Sequence, residues 1–184
     1  MDPKIQAQLD SLDRELQQLL EELRPYSEEM LNRVPGPGQW SPLQVMQHLK
    51  RSEELSLQYL RKKLSNPAAL KRAGIATFLR DRVLDIYLDA PFKFKAPKVV
   101  NPETFPEQVT LAELGASWQE LRGKIRQFLS MQPEGVFRTE AYKHPFAGRI
   151  TLKGMLTFFE AHFRRHRKQL RKAIQSRKSE VGIK

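Results

Sequence analysis

The sequence predicts an all-α fold: a bundle of four main helices with a long crossover between the second and third. Three features carry that expectation. Four segments place apolar residues at alternating steps of three and four, the period of a helix with one buried face. Two of them open on capping boxes, Ser41 with Gln44 and Thr110 with Glu113. Between these two lies a stretch from Ala90 to Pro106 whose prolines forbid regular helix.

The first segment carries Ile5, Leu9, Leu12, Leu16, Leu19, Leu23, Tyr26 and Met30 on one stripe. Pro25 removes a backbone donor inside it, so a kink or break is expected between Glu21 and Tyr26, and Pro35-Gly36-Pro37-Gly38 ends the segment. Helix two starts at Ser41-Pro42-Leu43-Gln44, with a capping serine and proline at the first helical position. Its seam reads Val45, His48, Ser52, Leu55 and Tyr59, and it should stop near Asn66-Pro67. Leu70 to Ala90 is helical by composition, and the crossover follows. Helix three carries Leu111, Leu114, Trp118, Leu121, Ile125 and Phe128 and ends before Pro133. Phe137 to Arg149 reads as a turn-rich connection, and Thr151 caps a last helix whose seam is Leu152, Met155, Phe159, His162, His166, Gln169 and Ala173.

A chain of 184 residues fits one domain, taken as residues 1–176, with 177–184 as a basic tail frayed from about Ser176. Apolar residues at 40% and charged residues at 29% argue against disorder over most of the length. The absence of cysteine excludes disulfides, thiolate ligands and cysteine nucleophiles, so any metal must sit on His, Asp or Glu. The N-terminus lacks a secretory pattern and no apolar run approaches the roughly 18 residues of a membrane span, so a cytoplasmic protein without membrane contact is expected.

Three of the four histidines fall on inward seams. His162 and His166, four apart on one helix, have Cβ atoms roughly 6 Å apart and can direct ring nitrogens at one ion. An antiparallel neighbour would bring His48 level with them. Hydrogen-bonded core histidines are the competing reading, but burying several imidazoles is unfavourable unless their nitrogens find partners, and one metal satisfies three together. Phe163, Arg164 and Arg165 separate the pair, so no general-base glutamate of the His-Glu-x-x-His type is present. Glu160, about 200° around the helix from His162, faces elsewhere.

Trp40-Ser41-Pro42-Leu43-Gln44-Val45-Met46-Gln47-His48-Leu49, Phe94-Lys95-Ala96-Pro97, His144-Pro145-Phe146-Ala147-Gly148 and His162-Phe163-Arg164-Arg165-His166-Arg167-Lys168-Gln169 follow one another in an order that resembles the DinB-like superfamily of metal-binding helical bundles. The resemblance implies an up-down-down-up topology in place of simple alternation, frequent pairing as a homodimer, and a metal triad at His48, His162 and His166. It also implies that the name, which refers to DNA damage, carries no polymerase activity. Characterised relatives include thiol-dependent S-transferases and a maleylpyruvate isomerase, while many members have no assigned reaction.

The function expected on this basis is that of a divalent-metal enzyme, with Zn²⁺ or Ni²⁺ on three neutral imidazoles and open positions for water or a substrate thiolate. A thiol-dependent S-transferase, or a related hydrolase or isomerase, fits that chemistry, and the thiol must come from a small-molecule cosubstrate. Trp40, Ser52, Tyr59, Tyr142 and His144 are candidate pocket residues, although core packing is the favoured reading of the aromatics and loop anchoring the competing one for His144; Arg149 is a further candidate for an anionic substrate, with a surface role favoured.

The net charge of +11 is unevenly placed, with Arg164, Arg165, Arg167, Lys168, Arg171, Lys172, Arg177, Lys178 and Lys184 clustered at the C-terminal end, on the last helix and the tail after it. A non-catalytic, metal-stabilised module binding a polyanion through that helix is therefore the alternative. Nucleic acid is disfavoured as the partner, because no aromatic residues interleave with the basic cluster and cations complement a helix C-terminus in any case.

Overall fold

A computed structural model describes residues 2–66, 70–81, 100, 101, 104–106 and 108–181, with side chains to residue 175. Asp2 accepts the Lys4 N–H at 2.7 Å and Pro3 opens α1 (Pro3–Leu23), which buries Ile5, Leu9, Leu12, Leu16, Leu19 and Leu23. The expected break falls between Arg24 and Ser27, where Ser27 caps a short α2 (Glu28–Asn32). That break resets the helical register, so Leu31 is the buried residue there, in place of the Met30 that an unbroken stripe would bury.

At Ser41 both halves of the capping box form, with Gln44 N–H donating to Ser41 Oγ at 3.1 Å and Ser41 N–H donating to Gln44 Oε1 at 2.9 Å. The helix they start, α3 (Pro42–Leu64), stops just short of Asn66. Its seam corrects the expectation. Val45 and His48 are buried, but Ser52, Leu55 and Tyr59 are half-buried, and the main inward row is Leu43, Met46, Leu49, Glu53, Leu57, Leu60 and Leu64. Neighbours on several sides bury more than one face of α3, which a single stripe does not describe.

The helix expected from Leu70 begins only at 75 and is described to 81; the rest of that expectation, and the crossover apart from 100, 101 and 104–106, lie outside the described residues. Residues 70–74 instead run beside 138–140, with Ala73 N–H on the Arg138 carbonyl and Glu140 N–H on the Lys71 carbonyl, both at 2.9 Å. These bonds satisfy the backbone without helix, and Gly74 disfavours one.

Thr110 and Glu113 form the second capping box, opening α4 (Leu111–Ser130). Leu114, Trp118, Leu121 and Ile125 are buried as expected, while Leu111 and Phe128 at its ends are half-buried. A 3-10 turn (Glu134–Arg138) leads to a hairpin of β1 (Tyr142–His144) and β2 (Gly148–Ile150), with Tyr142 opposite Ile150. This hairpin is more regular than the expected turn-rich connection. Gly148, at φ 77°, permits its turn.

Thr151 accepts the Gly154 N–H at 2.9 Å at the start of α5 (Leu152–Val181). The backbone of α5 stays helical past Ser176, through the segment read as frayed, and 182–184 lie outside the described residues. Asp81 accepts the Thr151 hydroxyl at 2.8 Å, tying the 75–81 helix to the head of α5.

α1 and α3 each pack against both α4 and α5. Gln8 meets Thr157 and Glu22 meets Arg171, so α1 and α5 run in the same sense. Gln17 meets Gln119 and Asp10 meets Arg126, so α1 and α4 run oppositely. His48 meets His162, and Ser56 meets Tyr142 beside the head of α5, so α3 opposes α5. Among the described residues no helix is long and apolar enough to cross a membrane.

At the centre lies an ion pair. Arg122 of α4 holds both carboxylate oxygens of Glu53 of α3, at 2.8 and 3.1 Å, and both side chains are 5% exposed. Trp118 Nε1 donates to Glu53 at 2.8 Å, Arg122 also donates to the Leu12 carbonyl of α1, and its guanidinium lies over Trp118 and Phe163, the latter on α5.

Removing one partner leaves the other charge buried and unpaired. Glu53→Ala is expected to destabilise the fold by about 3 to 5 kcal/mol, read from urea unfolding. Replacing both by Met should recover much of that loss. A Glu53→Ala effect no larger than that of a surface ion pair would contradict this account.

Candidate metal centre

His48 sits in the second turn of α3, and His162 and His166 are one turn apart on α5. Antiparallel packing brings one ring nitrogen from each within 4.8 Å of the others. His48 and His162 face one another through their Nε2 atoms at 3.1 Å, and the three ring centroids are 4.6 to 5.1 Å apart. His48 is buried, while His162 and His166 keep some solvent exposure, as access for an ion requires.

The outer nitrogens of His48 and His166 are also engaged. His48 Nδ1–H donates to the Val100 carbonyl at 2.9 Å, which places its lone pair on Nε2, the atom that faces His162. His166 Nδ1–H donates to Gln169 Oε1 at 2.9 Å, leaving its Nε2 lone pair free to face inward.

Burial is the leading cause that holds all three below the ordinary imidazole range. At His48 the Val100 hydrogen bond partly opposes it. His162 is pushed well down by burial, reinforced by His166, His48, His144 and Arg165. His166 falls to about 3, through burial, then His48, with Gln169 opposing and Arg165 adding a little. Three neutral imidazoles at neutral pH are the form that offers lone pairs to a metal, and an all-nitrogen donor set suits Zn²⁺ or Ni²⁺. The residues therefore fit such an ion. Glu160 adds no carboxylate here, since it faces α1 and accepts from Gln8 at 3.3 Å.

Two aromatic rings flank the cluster. Trp40 lies 5.0 Å from the His48 ring, and Phe158 stacks on His162 at 5.0 Å with planes 17° apart. Phe158 was not among the expected site residues, although its position four before His162 put it on the same helical row.

The other candidates are linked among themselves and to α3. Ser52 Oγ donates to the His48 carbonyl at 2.8 Å, Ser56 donates to the Ser52 carbonyl at 2.7 Å, and Tyr142 O–H in turn donates to Ser56 at 2.8 Å. Tyr59 meets the edge of Tyr142 at 5.7 Å. The hydroxyls of Ser52, Ser56 and Tyr142 are thus held by one another and by backbone. His144 anchors its own loop: it is buried, its Nδ1 accepts from Phe146 and Ala147 N–H at 3.2 and 3.1 Å, and its ring meets Phe158 at 4.5 Å. Arg149 is exposed, and its carbonyl accepts from Arg80. Gln169, expected in the core seam, is exposed and turned onto His166. Gln169, Val100, Ser56 and the Glu53–Arg122 pair were not among the expected functional residues.

In comparisons with known proteins, the family model for the DinB superfamily matches residues 8–170, a span that includes all three clustered histidines. A Bacillus subtilis (strain 168) protein, carrying the description uncharacterized protein YuaE, is 23% identical over 150 residues, which cover 82% of this chain and 86% of that protein. No solved structure matches the chain.

Burial alone lowers the His144 imidazole to about 4, against an ordinary value of 6.5. Between those values the unfolded chain takes up a proton that the folded one does not, so this residue's contribution to stability falls as pH falls through that window. The loss is at most about 1.4 kcal/mol per pH unit. His144→Asn keeps an acceptor for the loop N–H groups and removes the titration. Its stability, measured by urea unfolding at pH 7 and pH 5, should therefore fall less than that of the wild type. Equal losses would show that His144 is not held neutral by the fold.

Proposed function

The chain belongs to the DinB superfamily, and on that premise we propose that it is a divalent-metal-dependent enzyme whose ion is held by His48, His162 and His166. The observation that carries this reading is the convergence of three neutral ring nitrogens within 4.8 Å. We read the long helices as an up-down-down-up four-helix bundle, supported by the directions of the α1–α5, α1–α4 and α3–α5 contacts. Pairing as a homodimer, implied by the family, belongs to the same reading.

Zn²⁺ or Ni²⁺ bound there supplies a Lewis acid that favours the deprotonated form of a thiol or of water. Since the chain has no cysteine, the reaction we favour is S-transfer from a small-molecule thiol. The thiol gives its proton to solvent, its sulfur bonds to an electrophilic carbon, and the electron pair displaced from that carbon leaves with a leaving group or moves into an adjoining π system that solvent then protonates. His48, His162 and His166 hold the centre neutral in protonation and fixed in place. Trp40 and Phe158 limit water on two sides of it. The alternative of polyanion binding through the basic last helix draws less support, because Arg167 and Arg171 both bind Glu22.

Elemental analysis of protein purified without an affinity tag should find about one Zn²⁺ or Ni²⁺ per chain, lost in a His162→Ala, His166→Ala double variant. Unchanged metal content in that variant would exclude the pair as ligands. A screen of low-molecular-weight thiols against electrophilic acceptors then tests the reaction: no transfer by metal-loaded protein would leave the metal reading standing and remove the S-transferase one.

His48→Ala should bind Zn²⁺ at least about 10-fold more weakly, since the loss of supporting partners alone has effects of that size. Affinity equal to wild type would take His48 out of the set. Chelation should leave the helical circular dichroism in place, because the core is built from apolar side chains and the Glu53–Arg122 pair. Collapse of that signal would make the ion a structural staple.

A further inference from the structure

We propose that Gln169 is a positioning residue for the metal centre, acting through His166; the inference rests on the metal reading above. Gln169 lies three residues after His166, on the same side of α5, and its amide oxygen accepts the His166 Nδ1–H at 2.9 Å. A neutral imidazole carries one proton, so an acceptor at Nδ1 fixes it there and leaves the lone pair on Nε2, the atom free to face His48 and His162. The same bond resists rotation of the ring. His48 receives the equivalent support from the Val100 carbonyl, a main-chain group delivered by a distant part of the chain. For His166 the support comes from a side chain on its own helix, and so depends on residue identity.

The exposure of Gln169 strengthens the case. Helical periodicity assigns it to the buried seam, yet it is exposed, so core packing does not account for its orientation. Its aim at a ring nitrogen is the interaction that does.

The test compares Zn²⁺ affinity, by competition with a chelator, in wild type, Gln169→Leu and Gln169→Glu. Leucine matches the bulk without the acceptor, and glutamate keeps an acceptor oxygen. The expected result is a loss of about 10- to 100-fold in Gln169→Leu with unchanged helical circular dichroism, and affinity at or above wild type in Gln169→Glu. In the metal-free proteins, ¹⁵N NMR of the His166 ring should report the Nδ1–H tautomer in wild type and Gln169→Glu, and a gain of the Nε2–H tautomer in Gln169→Leu. Unchanged affinity in Gln169→Leu, or equal loss in both variants, would overturn the proposal. A wild type that binds no Zn²⁺ would overturn the metal reading itself. In that case the NMR of the metal-free protein still decides whether Gln169 sets the tautomer, and an unchanged His166 tautomer in Gln169→Leu would refute it directly.

Discussion

The ion pair between Glu53 and Arg122 governs how the long helices are rotated about their own axes. It draws on α3 and α4 for its charges, on α1 for the Leu12 carbonyl and on α5 for the Phe163 ring. A charge buried in apolar surroundings is tolerated only where its partner waits, so registers that misalign these groups are strongly penalised. Glu53 follows His48 by five residues, about 140° around a helix. With Glu53 turned to α4, His48 is carried round toward α5. Phe163, against Arg122, likewise turns the adjacent His162 toward α3. The polar centre thus sets the angular position of both helices that supply the histidines.

Desolvation then does two things at once. It keeps the imidazoles uncharged, and it leaves their nitrogens with few partners apart from one another, Val100 and Gln169. Phe158 stacks on His162 and itself meets the edge of His144, so the loop-anchoring histidine and the clustered ones share an aromatic wall. The hairpin that carries His144 is in turn held through Tyr142 to Ser56 on α3. Support for the centre therefore comes from short-range contacts on every side rather than from one rigid element.

Much of this was legible in the sequence, for local reasons. Both capping boxes are four-residue patterns, and both form. His162 and His166 could be paired because they share one helix. His48 could be brought to them only through a tertiary contact, which the order of motifs implied and periodicity did not. The failures share a cause: a stripe assumes one buried face and an unbroken register. The break at Pro25 shifted burial from Met30 to Leu31, neighbours on several sides of α3 displaced its seam, and Gln169 left the row its spacing assigned. Glu53 and Arg122 were not among the expected core residues, although Leu49 and Leu57, each four residues from Glu53, are buried. Three-residue strands are too short to show alternation, and the Val100 carbonyl is a main-chain atom, for which a side-chain pattern holds no signal.

That last contact sets an unusual mutational profile. Any amino acid at position 100 presents a carbonyl, so His48 keeps its acceptor through substitutions that merely respect the half-helical turn and its packing. Position 100 is thus tolerant of spelling, and variation there should diversify the surroundings of the site before it disturbs the histidine.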